Sequence, residues 1–154
     1  MQLSQSTEYA IHSLFYLAVN NDRQTVLVSE VAKAQNISET YLAKIFQSLV
    51  KAGLVRSFRG AKGGYHLARS VEQITLKDIV QAVEGASPLF ACDHDRIGCD
   101  FAMDCLISAT MKKAEEKLYE VLEGVTLADL ISNAQKMKDQ MKWLESAPRN
   151  QEIL

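Results

Sequence analysis

No apolar run in this sequence approaches the ~20 residues that a membrane-spanning helix requires. The first residues, MQLSQSTEYA, lack the basic-then-apolar pattern of an export signal. Together these absences predict a cytoplasmic chain with no membrane partner. Cysteine is scarce, three residues in 154, and an odd number cannot pair off within one chain. In a reducing compartment, clustered thiols suit metal binding or redox chemistry better than structural disulfides. There is no internal repeat and no low-complexity segment. No nucleophile constellation or phosphate-cradling loop accompanies the acid–base pairs that are present, which argues against an enzyme. One further absence is local: residues 40–70 contain no acidic residue at all.

That acid-free stretch carries Lys44, Lys51, Arg56, Arg59, Lys62 and Arg69. The net charge of −2 therefore hides a division. Residues 1–70 hold eight Lys/Arg against four Asp/Glu, and the remainder holds nine against fifteen. A basic half joined to an acidic half points to a polyanion partner for one end of the molecule. The chain order gives that end a shape. Residues 4–20 read as an amphipathic helix with Tyr9, Ile11, Leu14, Phe15, Leu17 and Ala18 on its apolar side. Glu8 and His12 stand four apart and share a face, an arrangement ordinarily met as a solvated ion pair. Ser29 is expected to cap a short helix over EVAKAQ, and Asn36 to take the left-handed turn after it. Ser38 opens a second helix that buries Leu42, Ile45, Phe46, Leu49 and Val50 and stops at Gly53. LVRSF, GAKGG and YHLAR then read as strand, turn and strand.

Two short helices followed at once by a β-hairpin describe a winged helix-turn-helix. Lys44 and Lys51 lie on the helix that would enter a major groove. Arg56, Arg59 and Lys62 lie on or near the wing tip, within reach of phosphates or a narrow minor groove. Thr75–Asp78 and Thr126–Asp129 read as capping boxes of two later helices. Between them Met103–Leu122 reads as a long helix with Leu106, Ile107, Met111, Leu118, Val121 and Leu122 on one side. Such a helix on a small domain calls for a partner, and a coiled-coil-like dimer is the simplest.

All three cysteines fall in CDHDRIGCDFAMDC, at C-x6-C-x5-C spacing, just before that long helix. Clustered thiolates suit iron–sulfur or zinc, yet three are one ligand short of four. With them His94 would complete a Cys3His zinc set within the chain. The spacing is looser than the paired knuckles of zinc folds, which ranks zinc second.

The segments MQLSQSTEYAIHSL, SETYLAKIFQSLVKAGLVRSFRGAKGGYHLAR and ITLKDIVQAVEG, with three cysteines before a long helix, resemble the IscR/NsrR family of winged-helix transcription regulators. Several members bind iron–sulfur clusters. The resemblance spans roughly residues 1–135, and Ala52–Leu67 is its most specific part. It implies a homodimer on a palindromic double-stranded DNA operator. It also implies a 2Fe–2S or 4Fe–4S cluster held between the cysteine loop of one subunit and the first helix of the other. The cluster-biogenesis branch draws a histidine ligand from just after the third cysteine, where this chain has Leu106, Ile107 and Ser108. Other branches use an acid on the first helix, and Glu8 stands at that position, or a glutamate and histidine with two cysteines. Two ligand sets follow from the resemblance. One is Cys92, Cys99 and Cys105 with Glu8; the other is Glu8 and His12 with Cys99 and Cys105. For DNA the resemblance points by position to Ser38, Thr40, Tyr41, Lys44 and Arg59. The biogenesis regulator has glutamate where this chain has Ala43, so its base preference does not transfer.

The expected fold is mainly α, a winged helix-turn-helix with a small β-hairpin wing plus a long dimerisation helix. The expected division is a DNA-binding domain over 1–84, a cluster loop over 85–105, and a dimerisation helix with a C-terminal helix over 103–145. The expected function is a regulator sensing redox, nitric oxide or iron–sulfur status. A zinc- or thiol-based regulator of the same fold is the alternative, with a protein-binding winged-helix adaptor behind it.

Overall fold

A computed structural model describes residues 3–61, 63–92 and 105–136 of the chain. Lys62, His94, Cys99, Met103 and the part of the expected C-terminal helix beyond residue 136 lie outside the described residues, as do Asp93, Asp95, Asp100 and Asp104. The described elements are α1 (Gln5–Val19), α2 (Val28–Gln35), α3 (Glu39–Lys51), β1 (Val55–Phe58), β2 (Gly64–Leu67), a 3-10 turn (Val71–Gln73), α4 (Leu76–Glu84), α5 (Leu106–Glu123) and α6 (Leu127–Lys136). The fold is the mainly helical, winged one expected.

Local chemistry sets most of the boundaries. Ser38 Oγ accepts the Tyr41 N–H at 3.2 Å and starts α3. Asn36 closes α2 in the left-handed region at φ 54°, and its N–H reaches back to Lys33 O at 3.2 Å. Gly53, at φ +70°, follows the end of α3. Both capping boxes form. The Thr75 hydroxyl accepts from Asp78 N–H while Asp78 accepts from Thr75 N–H, and Thr126 and Asp129 repeat the exchange. Ser29 is the exception: α2 starts at Val28 with Leu27 at its cap, and no side chain caps it. The reason lies just upstream. Val26 exchanges both backbone hydrogen bonds with Tyr65, at 2.9 and 2.8 Å, so extended chain runs to Val26 and the helix begins straight after it.

The wing is an antiparallel pair in the register Val55↔Leu67 through Phe58↔Gly64. Two glycines are demanded by sterics. A Cβ on Gly63 would sit 2.8 Å from Phe58 O, and one on Gly64 (φ +145°) would sit 2.7 Å from Val26 O. Leu14, Tyr16, Leu42, Phe46, Leu49, Leu54, Ile74, Ile79 and Leu127 are fully buried. Each such aliphatic side chain is worth about 1.5–3 kcal/mol relative to exposure. The core therefore joins α1, α3, α4 and the wing base to α6. Leu76 N–H donates to Val125 O and Leu127 N–H to Ile74 O, both at 2.9 Å, fixing α6 against the root of α4. α5 differs: it packs on α4 along one side, yet none of its 18 residues is buried.

Candidate nucleic-acid interface and sensor site

α3 presents two unlike faces. Leu42, Ile45, Phe46 and Leu49 point into the core, while Thr40, Lys44, Gln47 and Lys51 form an exposed stripe at helical spacing. Ser38, the N-cap residue, lies exposed just before α3 and off that stripe. Gln47 was not singled out by sequence, although the i, i+4, i+7 spacing from Thr40 places it there. Arg56 and Arg59 are exposed on the wing, with Phe58 half-exposed between them. A shallow cavity of about 620 Å³ runs behind the wing, lined by Val50, Gly53, Arg56, Phe58 and Arg69 among others. Among the described residues, the ion pairs engage Arg23, Arg69, Lys77 and Lys117, and leave Lys44, Lys51, Arg56 and Arg59 out. These cations face outward on one helix and one hairpin, the arrangement that tracks a phosphate backbone.

Tyr41 is placed differently from its neighbours. It is 39% exposed, but its phenol oxygen lies 2.8 Å from Ser6 Oγ, and its ring stands edge-on to Tyr9 at 5.9 Å and 90°. The start of α3 is thereby joined to the first turns of α1.

That same stretch of α1 carries Glu8, exposed, and His12, half-buried one turn later. An adjoining side of it is held by Glu84, the last residue of α4. Glu84 Oε1 accepts the Ser4 N–H at 2.8 Å, the Ser4 hydroxyl at 2.7 Å and the hydroxyl of buried Thr7. Hydrogen bonds from Thr7, then Ser4, hold the Glu84 carboxyl below the ordinary glutamate range. Sequence reasoning did not find this contact; its partners are 77 and 80 residues apart.

Gly85 leads from Glu84 toward Cys92. Leu89 N–H in that connection donates to Glu115 of α5 at 3.2 Å, and Lys77 of α4 pairs with Glu123 at 3.0 Å. Cys92 and Cys105 are free, half-buried thiols, and Cys105 is the N-cap residue of α5. Among the described residues no three His, Cys, Asp or Glu side chains of one protomer converge on a metal position. The donor types that sequence reasoning singled out are present among the described residues as separate groups, the Cys92 and Cys105 thiols, the Glu8 carboxylate and the His12 imidazole; Cys99 lies outside them. This chemistry suits iron–sulfur or zinc ligation. On α5, Ile107, Met111, Ala114, Leu118 and Val121 follow a four–three spacing, and Ile107 and Val121 are 65% and 69% exposed. Among the described residues, no helix is long and apolar enough to cross a membrane.

Comparison with known proteins adds to this geometry. The Rrf2 family profile, described as an iron-dependent transcriptional regulator, matches residues 3–133. The chain is 32% identical to the HTH-type transcriptional regulator NsrR of Halalkalibacterium halodurans, over 92% of this chain and 98% of that protein. The structure of T. potens IscR superposes with a TM-score of 0.70 at 31% identity, covering 90% of this chain and 91% of that one. CymR, the global cysteine regulator of B. subtilis, gives a TM-score of 0.70 at 28% identity, covering 86% of this chain and 98% of that one.

Proposed function

The chain belongs to the Rrf2 family of transcriptional regulators, and on that premise we propose that it is a homodimer whose affinity for a palindromic operator follows the state of an interfacial iron–sulfur cluster. Regulation through DNA binding comes with the family; cluster, dimer and operator symmetry are our reading. The division of labour is then a reading domain over 1–84 whose core α6 completes, a sensor loop over 85–105 and, within 103–145, α5 as the dimerising helix.

One observation carries it. Cys105 sits at the N-cap of a helix whose apolar four–three stripe is left exposed within the protomer at Ile107, Met111 and Val121, with Leu118 half-buried. A second copy packing on that stripe would cover it and complete the ligand set from outside the chain. Cys92, Cys99 and Cys105 would hold the cluster, with Glu8 of the second copy as fourth ligand. The alternative set is Glu8 and His12 with Cys99 and Cys105. The start of α5 favours negative charge, as an anionic thiolate centre needs. When bound, the cluster supplies a redox- and nitric-oxide-responsive centre, and a carboxylate or imidazole ligand raises its potential and eases its displacement relative to a thiolate. Thr40, Lys44 and Gln47 on α3, with Ser38 at its cap, are placed for the major groove, and Arg56, Arg59 and Lys62 serve the phosphates and minor groove. An iron-dependent family description and relatives named NsrR and IscR support this reading.

A second reading has its own support. CymR is a cysteine regulator and matches the fold equally well. Two free, half-buried thiols suit a zinc- or thiol-based regulator too. Anaerobic purification with visible absorbance and iron, sulfide and zinc assays separates the two, on wild type, Glu8→Ala and His12→Ala. We expect iron with sulfide and a spectrum altered by Glu8→Ala; a further change with His12→Ala selects the two-cysteine set. Stoichiometric zinc indifferent to both substitutions would overturn the cluster.

A further inference from the structure

The first turns of α1 are gripped on two sides. Ser4 and Thr7, three apart, face Glu84 at the root of the cysteine-containing connection. Ser6 and Tyr9, also three apart, face Tyr41 on the opening turn of α3. Glu8 makes neither contact and is exposed. Tyr41 is itself fixed to its helix start, because its N–H is the one that Ser38 caps.

We propose that Tyr41 is a coupling residue between the sensor helix and the DNA-reading helix, acting through its hydrogen bond to Ser6 and its edge contact with Tyr9. This rests on the proposed sensing role of the Glu8 segment. The phenol oxygen, the part of the side chain best suited to a base or phosphate, is engaged within the protomer. The ring is held by an aromatic edge rather than left to swing toward DNA. A displacement of the Ser4–Tyr9 turn, whatever grips Glu8, is carried to the first turn of α3 through one side chain. It is registered at the root of the cysteine segment through Glu84. The coupling is a differential contact between two elements, as linked binding requires.

The test is a double-mutant cycle with Ser6→Ala, Tyr41→Phe and the pair. The probe is a duplex selected from a random-sequence pool by the wild-type protein, with affinity measured before and after anaerobic reconstitution with iron and sulfide. Each single variant should compress the ratio of the two affinities by about fivefold or more, and the pair should compress it no further. Three results overturn the proposal. One is Tyr41→Phe weakening both states by one factor with Ser6→Ala silent, which makes the phenol a DNA contact. Another is strictly additive effects. The third is a lowered melting temperature with an unchanged ratio, which makes the contact merely structural. If wild type takes up neither iron nor sulfide, the cluster reading falls and the cycle is judged on the DNA affinity of the metal-free protein. There, non-additive effects of Ser6→Ala and Tyr41→Phe sustain the coupling, and additive effects or a silent Ser6→Ala overturn it.

Discussion

At Glu84 one carboxylate oxygen accepts from three donors of the α1 start, and this gives the residue a pH signature. Its folded-state pKa is depressed, so the stability it contributes is present in full above the ordinary glutamate range. That contribution is lost as pH falls through the depressed value. Glu84→Gln should therefore lower urea resistance at neutral pH, and the gap to wild type should close as the solution is acidified. A gap that stays constant with pH would show that the carboxylate charge is not what the donors respond to. Thr7 shows why the position matters: it is buried, and its hydroxyl would be costly to leave without an acceptor.

Among the elements, α5 is the one whose sequence and burial disagree. Its apolar side chains would normally be covered, yet Leu106, Ile107 and Val121 are largely exposed. Lys77–Glu123 and Leu89–Glu115 fasten it to the body by its polar flank and leave the stripe clear. If a second copy covers that stripe, Ile107→Glu combined with Val121→Glu should convert a dimer to a monomer with unchanged helical content. Light scattering after gel filtration, with circular dichroism, reads both quantities. A dimer that survives the double substitution would place the interface elsewhere. Element α6 behaves oppositely. Leu127 is buried, and Leu130 and Ile131 pack against the same core as α1. The chain thus leaves its core for α5 and returns to it.

For the molecule as a whole, the net charge of −2 is a poor guide to partners, because the cations of α3 and the wing are segregated from the acids of the second half. DNA affinity resting on phosphate contacts falls steeply with salt. Arg59→Gln should weaken binding to all duplexes alike and reduce the slope of log affinity against log salt by roughly one. Gln47→Ala should instead alter preference among sequences. An unchanged slope for Arg59→Gln, measured by fluorescence anisotropy across a salt series, would remove the wing tip from the phosphate-binding surface.

What the sequence determined by itself is what a few neighbouring residues can decide. Ser38, Thr75 and Thr126 cap helices because their acceptors lie three residues from the donors. Asn36 and Gly53 end helices because their backbones tolerate positive φ, and Gly63 follows from the tight turn of the wing, whereas Gly64 answers to the distant Val26 carbonyl. The outward face of α3 follows from helical spacing alone, so Lys44 and Thr40 were legible and Gln47 was available to the same rule. What only the tertiary structure decided has no local signature. Pairing of Val26 with Tyr65, 39 positions on, moved the start of α2 away from Ser29. Tyr41 meets Ser6 across 35 positions, and Glu84 meets Thr7 across 77. Spacing along the chain says nothing of which helix start will lie beside which helix end. That is settled when the apolar faces of α1, α3, α4 and α6 close on one core, and the polar groups at their rims must take whatever partners that packing brings.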